Sequence, residues 1–142
     1  MSITGRYRVK LHVSHATMSA ADVTAAFDLP VNYARSVGAQ RETKNGQLLE
    51  GVYKRTDVSF FISDGVADND NVLLPDLIRA SLSGLPLTHT LAISSSGGLC
   101  FYFVGIYSQN NLLCDFDAKL LSALASHGIG LKLDFYGGSD AE

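Results

Sequence analysis

The sequence predicts an α+β fold: a two-layer sandwich in which helices cover one face of a mostly antiparallel sheet, partly ferredoxin-like in its second half. Three observations predict it. Apolar residues alternate with polar ones near both ends of the chain (Tyr7, Val9, Leu11, Val13; Ile129, Leu131, Leu133, Phe135), the period of a strand with one wet face. Leu74, Leu77, Ile78, Ser81 and Leu82 fall at helical spacing and mark an amphipathic helix. The 142 residues, 46% hydrophobic and 18% charged, are enough to close one buried core without a disulfide or metal, so the chain reads as a single domain over 1–142 with its core in about 5–137.

In chain order, residues 7–13 form the first strand, with Arg8, Lys10 and His12 on its polar face. Ser19 caps a helix: its hydroxyl is placed to accept from the Asp22 N–H, and Asp22 suits the positive end of the first turn. Val23, Ala26 and Phe27 give this helix its apolar side, and Leu29-Pro30 closes it, because the residue before proline is pushed out of the helical region. Residues 31–50 carry little pattern apart from Asn45-Gly46, a two-residue turn signal for a protruding hairpin. Residues 51–62 are extended, with Val58, Phe60 and Ile62 on one face, and residues 63–71 read as an aspartate-rich loop. The leucine helix follows, with Pro75 in its first turn and Gly84 and Pro86 beyond its end. Residues 88–94 and 99–108 read as two strands joined by a hairpin at residues 95–98. The second is apolar on both faces, as a central strand would be. Asp117 caps the last helix, with Leu120, Leu121 and Leu124 as its buried stripe; His127 and Gly128 end it, and the final strand alternates from Ile129 to Tyr136.

Composition narrows the function. The formal charge of −3 argues against a dedicated nucleic-acid binder, and the longest apolar run, residues 99–107, is half the ~18 residues a membrane helix needs. The N-terminus carries Arg6, Arg8 and Lys10 in place of an apolar export segment, so a cytoplasmic protein is expected. In that setting Cys100 and Cys114 are expected as thiols, although a disulfide between them is possible on sequence. Four scattered histidines without HxxxH or CxxC spacing do not make a zinc site. Asp64, Asp68 and Asp70 lack the glycine and closing glutamate of an EF-hand, and residues 94–98 lack the lysine and following helix of a phosphate loop. No GxSxG elbow is present. No catalytic residue, metal or cofactor is therefore assigned.

Several of these segments together resemble an uncharacterised bacterial family catalogued as a domain of unknown function (family 4279). The carrying features are the alternating first strand, residues 19–24 opening a helix that ends in Leu29-Pro30, the charged stretch at 38–41, the leucine helix and the ending at 127–136. The resemblance spans roughly residues 5–137 and implies a fold without an activity, so no catalytic residue is carried over from it.

Charge is unevenly spread: residues 1–60 hold eight Lys/Arg against five Asp/Glu, and residues 61–142 hold three against nine. Two candidate surfaces follow. Arg35, Arg41 and Tyr53 lie in the basic, poorly patterned region 35–55, where a pocket would take a small or anionic ligand. Arg8, His12, Asp134 and Tyr136, with Lys10 and Lys132, share the uncovered sheet face, and Tyr102 joins them if it points away from the helices. Mixed aromatic and charged patches are typical of interfaces. The leading expectation is a non-enzymatic domain acting through protein contact, as a homodimer or with a partner; an immunity-like role against a toxin fits the small acidic build. The competing expectation is a binder or enzyme for a small anionic molecule at the basic region.

Overall fold

The first alternating segment folds as β1 (Gly5–His15), and the sheet is built outward from it. The computed structural model describes residues 5–67, 74–108 and 113–137. Eleven elements follow in order: β1, α1 (Ala20–Ala25), β2 (Val31–Arg35), β3 (Gln40–Glu42), β4 (Leu48–Val52), β5 (Thr56–Ala67), α2 (Leu74–Ser83), α3 (Leu87–Ser95), β6 (Gly98–Ser108), α4 (Ala118–Ser126) and β7 (Ile129–Gly137). Five strands form the main sheet in the order β2-β5-β1-β6-β7, and β3 and β4 form a separate two-stranded ribbon. All pairs in the main sheet are antiparallel except β6 and β7, which run parallel with α4 between them in sequence. The predicted two-layer α+β sandwich is what the chain adopts.

Period-two alternation explains the layers. Tyr7, Val9, Leu11 and Val13 of β1 are buried, and across the register they meet Val58 and Phe60 of β5 and Cys100, Tyr102, Val104 and Ile106 of β6. The helices bring Val23, Leu74, Ile78, Leu82, Ile93, Leu120 and Leu124 onto that same side. Fully burying one such side chain contributes roughly 1.5–3 kcal/mol, so this shared face is what holds the two layers together. A bulge between Val9 and Lys10 adds one residue, Ile62, to β5. On the regular side of it, Phe60 opposite Leu11 lies in the core and Phe61 opposite Lys10 lies on the other face.

The capping expectations hold. Ser19 Oγ accepts from Asp22 N–H at 3.1 Å, and Asp117 Oδ1 accepts from Leu120 N–H at 2.9 Å. Gly128 follows α4 in the left-handed region, at φ +68. The Asn45-Gly46 hairpin forms as the ribbon, with Gly46 at φ +83 and Thr43 N–H donating to Gln47 O at 2.8 Å.

Five details differ from expectation. Residues 87–95 are a helix, not the first strand of a hairpin, so the second half runs helix-helix-strand-helix-strand and its ferredoxin-like strand pair is replaced by a parallel βαβ unit. α1 stops at Ala25, before Leu29-Pro30, and Pro30 instead leads into β2, where its carbonyl accepts from Phe61 N–H at 2.9 Å. The outermost strand β2 lies in a region that carries little pattern in sequence; three of its five residues are exposed, so no strict alternation betrays it. β5 continues through residues 63–67 because β1 supplies partners that far, while Asp68, Asn69, Asp70 and Asn71 lie outside the described residues. Leu121 is 48% exposed, so the buried stripe of α4 is Leu120 and Leu124. Among the described residues no helix is long and apolar enough to cross a membrane.

Candidate functional site

With the helices on one side, no described helix covers the other face of the sheet. The register places on it Arg6, Arg8, Lys10 and His12 of β1, Tyr33 and Arg35 of β2, Asp57 and Phe61 of β5, Phe101, Phe103 and Tyr107 of β6, and Lys132, Asp134 and Tyr136 of β7. Cations and rings interleave across it. Arg6 and Arg8 lie over Tyr107 at 5.1 and 5.8 Å, Lys10 over Phe61 at 5.9 Å, Lys132 over Phe101 at 4.5 Å and Arg35 over Tyr33 at 4.7 Å. Contacts of this kind contribute about 0.5–1 kcal/mol at exposed sites; their larger effect is to hold long side chains upright over the sheet. Tyr107 and Tyr136 stack at 4.7 Å, and the Tyr136 hydroxyl donates to Asp134 Oδ2. That bond raises the Tyr136 pKa, since ionising the phenol would set a second negative charge beside the carboxylate.

His12 occupies the middle of the face. Its ring stacks on Phe103 at 5.3 Å and 10° and meets Phe101 at the same distance, with Tyr33 edge-on at 6.2 Å. Partial burial, reinforced by the nearby Lys10 and Lys132, holds its pKa below the ordinary value of 6.5. His12 is thus neutral near pH 7, an aromatic platform among cations.

The sheet face ends at a cleft of about 610 Å³ between β2 and the ribbon, lined by Lys10, Asn32, Tyr33, Ala34, Arg35, Glu42, Thr43, Lys44 and Tyr53. Tyr53 ties the ribbon's base to the preceding loop. Its N–H donates to Ala39 O at 2.9 Å, its carbonyl accepts from Gly38 N–H at 2.8 Å, and its hydroxyl accepts from Glu42 N–H at 3.2 Å. A second cavity, of about 460 Å³, opens among the helices between Phe27, Leu29, Ile62, Leu77 and Leu85; among the described residues its lining holds Asp28 and no cation.

The predicted site residues therefore divide. Arg8, His12, Asp134 and Tyr136 share the open face, and Arg35 and Tyr53 share the cleft. Arg41 does not line that cleft; its guanidinium donates to Glu50 O at 3.3 Å and borders a separate depression with Gly51, Val52 and Lys54. Tyr102 is corrected outright. It is fully buried on the helix side, with its hydroxyl 2.7 Å from Ser81 Oγ, and burial pushes its pKa up to about 12. Its register partner is Leu11, so it faces away from His12.

Phe61, Phe101, Phe103 and Tyr107 were not singled out by sequence reasoning. Alternation groups Phe101, Phe103 and Tyr107 on one face of their strand; the register, with Leu11 opposite Tyr102 and His12 opposite Phe101, makes it the face of Lys10 and His12. Among the described residues, no three His, Cys, Asp or Glu side chains gather closely enough to hold a metal ion, and both cysteines are free thiols. Burial pushes the Cys100 thiol up to about 12. No family model, curated protein or solved structure matches the chain.

Proposed function

We propose that the protein is a non-enzymatic binding domain whose uncovered sheet face docks an acidic protein partner. The observation that supports this reading is the set of five cations, Arg6, Arg8, Lys10, Arg35 and Lys132, each standing over an aromatic ring on a face that no described helix covers. Among the described residues, the carboxylates placed on the same face are Asp57 and Asp134. Rings supply apolar area at the centre of an interface and cations supply steering and register. Five strands spaced ~4.8 Å apart and ~9 residues of ~3.3 Å give roughly 600 Å², near the ~800 Å² per partner of a standard interface.

Charge decides between occupants. β1, the central strand, carries Arg6, Arg8 and Lys10 in a row, so a twofold pairing of two copies through this face would set those rows against each other. Single-stranded nucleic acid needs open ring faces for base stacking, and here a cation already stands over each of Phe61, Phe101 and Tyr107. A compact acidic protein surface needs neither condition.

The test uses NMR shift mapping on the intact chain with a glutamate-rich 15-residue peptide and, separately, a dT15 oligonucleotide. Peptide-induced shifts centred on residues 8, 10, 12, 103 and 132, weakened about tenfold or more by Arg8→Glu with Lys132→Glu, support the proposal. Tighter binding of the oligonucleotide, no shifts with peptide, or a dimer in sedimentation that the double substitution dissociates would overturn it.

A further inference from the structure

The geometry points to the cleft between β2 and the ribbon as a binding site for a small phosphate monoester; it shares Lys10 and Arg35 with the sheet face and adds Lys44 and Tyr53. Its lining holds Lys10, Arg35 and Lys44 against one carboxylate, Glu42, an excess of two positive charges. A phosphate monoester carries about −1.5 to −2 near pH 7, which matches that excess. A guanidinium binds such a group in a bidentate fork.

Arg35 is held ready for that role. Its guanidinium lies 4.7 Å from the Tyr33 ring centroid and 5.8 Å from that of Tyr53, rings contributed by two segments of chain. Tyr53 is itself fixed by its bonds to Gly38, Ala39 and Glu42. The freedom a long side chain would lose on binding is thus partly lost on folding, which favours affinity. The volume, about 610 Å³, falls within the ~300–1,000 Å³ of small-molecule sites. It leaves room beyond the phosphate for an organic body against Tyr33, Ala34 and Tyr53. Among the described residues, the cavity among the helices lacks a cation and offers no comparable anchor.

Calorimetric titration of the intact chain with phenyl phosphate, inorganic phosphate and phenol tests the assignment. Phenyl phosphate is expected to saturate one site, with inorganic phosphate at least about fivefold weaker and phenol silent. Lys44→Glu, at an exposed side chain, should weaken phenyl phosphate at least about tenfold while circular dichroism melts stay unchanged; Arg35→Ala should weaken it as much, with a melt lowered only slightly by the loss of its two ring contacts. Arg41→Glu, nearby but outside the cleft, should leave it unaltered. No saturation, equal affinity for inorganic phosphate, or an equal loss with Arg41→Glu would overturn the site. Lys44→Glu should also leave the acidic peptide's binding to the sheet face intact, so the two proposals can fail separately.

Discussion

His15 shows how much one side chain can organise. It is 2% exposed, and its Nδ1 accepts from the backbone N–H groups of Thr17 and Met18 at 3.0 and 2.9 Å. The ring proton therefore sits on Nε2, which donates to Ser96 Oγ at 2.9 Å; that hydroxyl donates on to Ala92 O at 2.6 Å. One imidazole thus joins the end of β1, the turn before α1 and the end of α3. Nothing in the sequence marks this role, because no local pattern identifies a ring that accepts from its own following turn. His15→Ala leaves two backbone donors unpaired at ~1–3 kcal/mol each, so a loss of ~2–6 kcal/mol is expected in urea denaturation. The exposed His89 changed to Ala should stay within ~0.5 kcal/mol. His12 adds a pH effect. Its folded pKa is depressed below 6.5, so the unfolded chain binds the proton more readily. Stability contributed by the neutral ring is present above pH 6.5 and is lost as pH falls through the folded value. His12→Phe should flatten the urea midpoint between pH 7.5 and pH 5; an unchanged slope would show that this ring does not carry the effect.

At the scale of elements, α3 is the instructive case. Thr88, Thr90 and Ile93 favour strand in isolation, and the glycines at 97–98 imitate a hairpin turn. Tertiary packing decides otherwise: Thr90 and Ile93, three apart, are the two buried residues of this helix. Its serines and Thr90 bond back along it, Ser94 Oγ to Thr90 O at 3.1 Å and Thr90 Oγ1 to Leu87 O at 3.0 Å. The glycine serves close approach rather than a hairpin. A Cβ on Gly98 would fall 2.7 Å from both Ile93 Cγ2 and Ile93 O, and 2.8 Å from His15 Cδ2. Gly98→Ala must therefore push β6 away from α3, at a cost of ~1–3 kcal/mol in thermal or urea unfolding. Gly84→Ala, whose nearest neighbour would lie at an ordinary 3.6 Å, is the control and should change little. Helix caps were legible in sequence for the opposite reason. Ser19 and Asp117 each bond a backbone group three residues ahead, a contact that needs nothing from the rest of the chain.

Across the whole molecule, a net charge of −3 conceals a segregated surface. The first sixty residues supply most of the cations, and β1 and β2 carry Arg6, Arg8, Lys10 and Arg35 onto the open face, while Asp22, Asp76 and Asp117 sit at the starts of helices. Net charge averages the two. The α+β class, the core face of β1, the caps of α1 and α4 and the ribbon turn were legible in the residues alone. Each depends on period or on contacts within a few residues, where chain connectivity sets the geometry. Tertiary structure alone decided that residues 87–95 coil, that Tyr102 faces the helices while Phe101 and Phe103 face His12, and that Lys10, Arg35, Lys44 and Tyr53 border one cleft. Those outcomes turn on strand register and on which distant segments share an edge, and a one-residue change of register exchanges the two faces of a strand.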